Sequence, residues 1–316
     1  GRAFLGEAVD SILKQTFTDY ELLIINDGST DDSLQLLQAY RDPRIRLVDQ
    51  HPNRGIRGSL NRGLHEARGR YLAIMDQDDI SAPQRLEKIV ERMESQPELA
   101  ICGSAIETFG DHPVASWVKY FEPTDLKIAL LFENPVCHPS VLLRRSLLDA
   151  HGLEYPDVPF AEEYSLWVAL SRIALLANLP TPLLRYRSHS QQVSRSRTEI
   201  QGASMNLVLR EQLTHLDLSP TPQELILHKM LGGVFNPLPA YGRRLRHWAD
   251  RLLAANRKTA IYPIEEFSRQ LGERVEATIK LNRDKLRSLN WARRLAWQFS
   301  VWRDFQRATH STPTTS

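Results

Sequence analysis

Only two cysteines, Cys102 and Cys137, occur in 316 residues. That excludes a disulfide framework. They are not in C-x-x-C spacing and sit among apolar neighbours, so the sequence predicts buried, reduced thiols of a cytoplasmic protein rather than a zinc pair or a bridge. Long apolar runs are missing too. Stretches such as Ile128 to Phe132 fall far short of the roughly 20 residues that cross a bilayer, and no signal-peptide pattern is present. No G-x-G-x-x-G follows a strand pattern, which argues against a dinucleotide-dependent oxidoreductase. One-sided charge is absent as well: 40 Lys plus Arg face 38 Asp plus Glu, for a net +2. A polyanion binder by composition is excluded, and no nucleic-acid partner is expected. There are no repeats, and the only low-complexity tract is the tail His310 to Ser316. What remains is ordinary globular composition, 42% hydrophobic and 25% charged, in a chain long enough for one large domain or two smaller ones.

Against this background one segment stands out, Tyr71-Leu72-Ala73-Ile74-Met75-Asp76-Gln77-Asp78-Asp79. An apolar run that reads as a buried strand ends in three carboxylates. Strand interiors avoid Asp, and clustered like charges repel. The cluster is tolerable beside a positive charge, and a hard divalent cation is the natural one for carboxylate oxygen. Ligands of open α/β sheets also bind in the crevice beyond the strand C-termini.

The rest of the first half alternates. A helix is predicted over Phe4 to Leu13, a strand over Glu21 to Asn26, a short helix around Leu34 to Leu37 and a strand over Ile45 to Val48. A Gly/Asn-rich loop from Pro52 to Gly58 precedes a helix through Leu60, Leu64 and Ala67. After the strand Tyr71 to Met75, a helix starts at Pro83. Leu99 to Ser104 and Val141 to Arg144 read as strands, Glu162 to Ala174 as a helix and Leu183 to Arg187 as a strand. That rhythm predicts a mostly parallel sheet with covering helices. After about Thr198 helix follows helix, and from Arg243 to His310 there are 16 Lys plus Arg against 7 Asp plus Glu.

Several residues have the types and places that chemistry uses. Asp27, past a strand and before Gly28, suits acceptance of a ring N–H from a nucleobase; the plainer reading is a turn and helix cap. The acids Asp76 to Asp79 read equally as metal ligands or as first-turn acids complementing a helix dipole. Glu162 and Glu163 open an apolar helix, where a carboxylate can serve as a general base or only as a first-turn acid. His189 follows a strand among polar residues and has a weak ligand signal. His138, in Asn134 to Ser140, reads better as a polar group satisfied within a turn.

The order of these motifs is more telling than any of them alone. Ser11 to Phe17, Asn26-Asp27-Gly28-Ser29-Thr30-Asp31, Asn53-Arg54-Gly55, Asn61-Arg62-Gly63, Ala67 to Tyr71, Asp76 to Pro83 and Arg85-Leu86-Glu87 together resemble the family 2 glycosyltransferases of the GT-A fold. The resemblance covers about the first 195 residues. It implies a GT-A catalytic domain over residues 1–197, a helical region over 198–316, and inverting transfer of a sugar from a UDP- or dTDP-sugar to a hydroxyl of a glycan or lipid-linked acceptor, as in bacterial surface polysaccharide synthesis. It further implies that Asp27, Asp76 and Arg57 contact the nucleotide. Asp78, Asp76 and His189 would hold Mn²⁺ or Mg²⁺, with Asp79 behind them. Glu163 or Glu162 would be the base. The family usually has Asp where this chain has Glu163, and one extra methylene displaces the carboxylate by roughly 1.5 Å. The family's first strand would precede Gly1, so about a dozen further N-terminal residues are expected; without that strand the sheet would have a gap and unpaired backbone.

Trp291, Leu295, Phe299 and Trp302 recur at helical spacing near Arg293, Arg294, Arg303 and Arg307. Packing onto the catalytic domain or a partner subunit is favoured, because Trp297 falls on another face. A peripheral seat on the inner face of the cytoplasmic membrane is the competing reading. Two other functions compete overall. A nucleotidyltransferase also sets acids beside a nucleotide but does not account for Glu162 and Glu163. A non-catalytic module that keeps the fold for carbohydrate or partner binding would treat Glu163 as a sign of decay.

Overall fold

The structure is a computed structural model that describes residues 2–111, 113, 116, 118–190, 198–234, 236 and 241–288. The aromatic and basic positions from Trp291 to Arg307 lie outside these residues. The chain forms two compact units: residues through Lys127 with Asn134–Met205, and Ile128–Glu133 with Asn206 onward.

In the first unit, α1 (Arg2–Leu13) buries Leu5, Ala8, Val9 and Ile12, the one-sided stripe that drives an amphipathic helix onto a core. β1 (Leu22–Asn26) and β2 (Ile45–Asp49) are parallel, from Leu22 opposite Ile45 to Asn26 opposite Asp49, with α2 (Ser33–Ala39) between them in sequence. α3 (Gly55–Glu66) begins earlier than expected from the Gly/Asn-rich loop. The reason is local. Asn53 Nδ2 donates to the Asp27 carbonyl at 2.6 Å and Arg54 N–H donates to Asp27 Oδ1 at 2.8 Å, so the loop folds onto the β1 turn and the helix starts at once.

The second sheet has the order β3 (Tyr71–Ala73), β6 (Leu142–Arg144), β5 (Leu99–Gly110), β7 (Leu175–Ser188), β4 (Ile80–Ser81). β5 and β7 are parallel, whereas β3–β6, β5–β6 and β4–β7 are antiparallel. The sheet is therefore mixed, and the parallel expectation holds for β1–β2 and β5–β7. β7 starts eight residues before its expected start at Leu183, because Pro180 and Pro182 mask the strand in sequence. The ladder accommodates them with a register shift, since Ser104 faces Leu179 and Ala105 faces Pro182. The helices α4 (Arg85–Ser95), α6 (Arg145–His151) and α7 (Glu162–Ser171), with the first residues of α5 (Pro123–Leu130), complete the unit. Ile89 and Met93 of α4 pack with Leu99, Cys102, Leu142, Ala177 and Leu183. Both cysteines are free and buried, as expected. Among the described residues β1 pairs only with β2, and β3 only with β6, so the two sheets share no hydrogen-bonded strand. A cavity of about 1520 Å³ is lined by residues of both, including Leu22, Ile24, Tyr71 and Leu72.

α8 (Thr198–His215) runs through the division between the units; α9 (Pro222–Leu231), α10 (Tyr241–Thr259) and α11 (Ile264–Ser288) follow. The second unit buries His228 completely. Its Nε2 bonds the Leu131 carbonyl at 2.7 Å, and Trp248 Nε1 donates to its Nδ1 at 3.3 Å. Acceptance at Nδ1 requires the neutral ring, and burial depresses its pKa to about 4 against the opposing pull of the Leu131 carbonyl. The folded value lies below the unfolded one, so this stability is fully present above pH ~6.5 and is lost as pH falls through about 4. The expected loss is on the order of 3 kcal/mol. Denaturant titrations of wild type and His228→Gln between pH 7 and 4 check it: the acid-side slope should shrink in the variant.

Candidate active site

β3 places the acids. Its ladder continues one residue past Ala73, where Ile74 N–H bonds the Val141 carbonyl at 3.0 Å, and the chain then turns through Asp76 to Asp79 into β4. Oxygens of Asp76, Asp78 and Asp79 all lie within 4.8 Å of one another, the sole such His/Cys/acid cluster among the described residues. The frame behind them is built by side chains. Arg85, fully buried at the start of α4, donates to the Ile74 carbonyl at 2.6 Å. Gln15, just past the end of α1, donates to the Ala82 carbonyl at 2.7 Å and accepts from Leu86 N–H at 3.0 Å. The Gln15 of the Ser11-to-Phe17 motif thus caps α4 from the segment that follows α1.

Electrostatics marks the cluster as incomplete. Enclosure by protein, then the charge of Asp78, pushes the Asp76 carboxyl up to about 7, although its side chain still opens to the cavity. Burial, then Asp76, pushes Asp79 to about 8, opposed by a hydrogen bond from Arg187 N–H. Asp79 Oδ2 is buried and has no protein partner. Three converging carboxylates with an unpartnered buried oxygen fit a hard divalent cation of the Mg²⁺ or Mn²⁺ type. His189 Nε2 lies 2.9 Å from Asp78 Oδ2, so the sequence-expected ligands Asp76, Asp78 and His189 come together.

Asp27 lines the same cavity. Partial burial raises its pKa, but Arg54 N–H, Gln50 and Ser59 outweigh that and hold it below the usual value. It is therefore an ionised acceptor at neutral pH. Gly28 after it has φ +70°, a conformation that favours glycine. Arg57 is not brought in. It is absent from the cavity lining, and its Nε pairs with Asp157 at 3.4 Å. The nucleotide contact stands as an expectation for Arg57, whose side chain is exposed on the helix surface and pairs with a carboxylate of its own.

Glu162 and Glu163 open α7 and both line the cavity. They differ in setting. Glu162 is buried with Oε2 unpartnered. Glu163 is half-buried, and burial pushes its carboxyl up to about 7 while Asn134 Nδ2 stands 3.4 Å from Oε1. The segment leading to these acids is pinned at Tyr155. Asn61 of α3 accepts from Tyr155 N–H at 2.8 Å and donates to its carbonyl at 2.9 Å. The Tyr155 hydroxyl meets His138 Nε2 at 2.9 Å, and Trp167, one turn beyond Glu163, packs against both rings. His138 is thus a satisfied group at a 3-10 turn (His138–Ser140), as its sequence context suggested. Phe160, at φ 61°, precedes the acids in a strained left-handed conformation. Sequence reading missed Tyr155, Asn134 and Arg187; the first has no signal beyond being an aromatic in a polar loop. Asn61→Ala leaves the buried Tyr155 amide and carbonyl unpaired, so a loss of about 2–3 kcal/mol is expected. Thermal and urea unfolding check it, and an unchanged midpoint would contradict the pinning.

A family model described as glycosyl transferase family 2 matches residues 2–152. An uncharacterized glycosyltransferase of Haemophilus influenzae is 33% identical over 225 residues, spanning 67% of this chain and 70% of that protein. The chain belongs to glycosyl transferase family 2. The amylovoran biosynthesis glycosyltransferase AmsE of Erwinia amylovora is 28% identical over 218 residues, 66% of this chain and 81% of that one. Among solved structures, TarS residues 1–349 of S. aureus in complex with UDP-GlcNAc aligns with TM-score 0.59 at 15% identity, covering 92% of this chain and 90% of that one. The mannosyltransferase PcManGT of Pyrobaculum calidifontis, in complex with GDP-Man and Mn²⁺, aligns with TM-score 0.53 at 17% identity, covering 89% and 84%. The architecture is the GT-A fold, and Asp76-Gln77-Asp78, just past β3, has a D-x-D pattern.

Proposed function

We propose that this family 2 glycosyltransferase moves a sugar from a UDP- or dTDP-sugar to a hydroxyl of a glycan or lipid-linked acceptor, with inversion, in bacterial surface polysaccharide synthesis. The observation that carries the reading is a single cavity lined by Asp27, the acids Asp76 and Asp78, His189 and Glu163. Asp27 accepts the ring N–H of the base. Asp78, Asp76 and His189 are the residues that would hold Mn²⁺ or Mg²⁺. When bound, that cation supplies Lewis-acid stabilisation of the charge growing on the leaving diphosphate. A neighbour's complex with GDP-Man and Mn²⁺ supports this, as does the oxygen-rich donor set. Glu163 is the base: it faces the cavity, and a carboxyl poised at about 7 is half-ionised at neutral pH and able to take the acceptor proton. The acceptor oxygen bonds to the anomeric carbon from the face opposite the departing diphosphate, which gives inversion, while Glu163 takes the proton that the oxygen loses. The relatives acting in polysaccharide biosynthesis, such as AmsE, support the acceptor class. Among the described residues no helix is long and apolar enough to cross a membrane. The proposed site of action is the cytoplasm or the inner membrane surface, where lipid-linked acceptors present their sugars.

A thermal-shift screen of UDP-, dTDP- and GDP-sugars with and without Mn²⁺ tests this directly, since ligands that bind the native state raise its melting temperature. A Mn²⁺-dependent rise with a uracil or thymine donor is expected. No response to any donor would overturn the reading.

A further inference from the structure

Arg187 holds the acid turn from a neighbouring strand by two hydrogen bonds. It lies on β7, two positions before His189. The β4–β7 ladder covers only Ile80 opposite Arg185 and Ser81 opposite Leu184, so it stops short of the acids. Arg187 carries the connection further. Its backbone N–H donates to Asp79 Oδ1 at 2.8 Å, and its own Nε donates to the Asp78 carbonyl at 2.6 Å. Main chain and side chain of one residue thus fix two successive residues of the cluster, without using a carboxylate oxygen of Asp76 or Asp78. The guanidinium is itself held. It pairs with Glu7 of α1 and lies 4.2 Å from the Phe4 ring centroid and 4.4 Å from that of Phe109. Its side chain is only 12% exposed. A planar group packed against two rings and paired with a carboxylate offers a fixed donor direction, which a flexible ammonium does not.

Against this, three acid side chains crowd within 4.8 Å, and any two of them repel when ionised. A free turn relaxes by swinging them apart. We propose that Arg187 is a positioning residue for the cation site: it fixes the Asp78–Asp79 backbone so that the acid oxygens converge before the cation arrives, and its loss weakens cation binding rather than donor recognition or chemistry. This rests on the reading of the acids as a cation site.

The test is Mn²⁺ binding, followed by the electron paramagnetic resonance signal of free Mn²⁺ with and without UDP. Wild type, Arg187→Ala, Arg187→Lys, Glu7→Gln and Asp78→Ala are compared, each with its melting temperature. The Mn²⁺ Kd is expected to rise at least about tenfold in Arg187→Ala, less in Arg187→Lys, and about twofold to threefold in Glu7→Gln. In turnover assays the Arg187→Ala deficit should be recovered by saturating Mn²⁺, which a merely structural defect would not allow. Wild type binding Mn²⁺ no better than Asp78→Ala would overturn the cation reading and this inference with it. Tight wild-type binding with Arg187→Ala within twofold would overturn this inference alone. Should Arg187→Ala not fold, the Kd values of Arg187→Lys and Glu7→Gln decide in the same way.

Discussion

Asp78→Ala is expected to lower Mn²⁺-dependent turnover of the nucleotide-sugar by about 10³-fold or more while leaving the protein at least as stable. The activity loss follows from the role. Lewis-acid stabilisation of a leaving diphosphate contributes several kcal/mol, and about 4 kcal/mol is a factor of 10³. The stability effect has the opposite sign because the acids repel. Asp78 adds to the upward push on both Asp76 and Asp79, so removing it relieves strain in the metal-free protein. The substitution also removes the 2.9 Å contact with His189, a modest loss for a half-buried pair. Donor-hydrolysis kinetics with melting curves measure both effects. A variant that loses activity by unfolding, or one that keeps Mn²⁺-dependent turnover, would contradict the assignment.

The second large effect belongs to Glu163. Glu163→Gln keeps the size and the Asn134 neighbour but cannot take a proton. A fall in kcat of about 10²–10⁴-fold is expected, with the donor KM within about threefold. The pH profile gives a sharper signature. Burial raises the Glu163 carboxyl to about 7, and only its ionised form is a base. Wild-type kcat should therefore rise with pH through about 7, falling roughly tenfold per unit on the acid side. Glu163→Asp keeps a carboxylate but withdraws it by about 1.5 Å. Its expected kcat is roughly tenfold lower with the acid limb retained. Undiminished kcat in Glu163→Gln would reassign the base to Glu162, whose buried Oε2 lacks a protein partner.

The parts of the site written locally were legible in the sequence. An apolar strand ending in acids, a carboxylate before a Gly turn, and paired acids at a helix start each combine a local pattern with a chemical type, and Asp76, Asp78, Asp27 and Glu163 do line one cavity. His189 was legible only as a weak signal, yet β7 sets it against Asp78 across 111 residues of sequence. What was not legible depends on pairings that no spacing encodes. The Asn61–Tyr155 bonds join residues 94 apart. Arg187 reads as one more charged residue on a strand until Phe4, Phe109 and Glu7 close around it. The short β4 and the prolines of β7 hid the mixed sheet, because a two-residue strand has no period and proline argues against a ladder. Arg57 lies outside that cavity lining: helix α3 starts early and the side chain pairs with Asp157.

The central claim is that the acid turn and the cavity beside it exist to hold a divalent cation against a nucleoside diphosphate. The most direct measurement is the anomalous difference map of a crystal grown with Mn²⁺ and UDP. The account predicts a manganese peak on the Asp78 carboxylate, with the diphosphate beside it and the uracil ring N–H at Asp27. Nucleotide bound elsewhere, with Asp76, Asp78 and His189 free of metal, would contradict it.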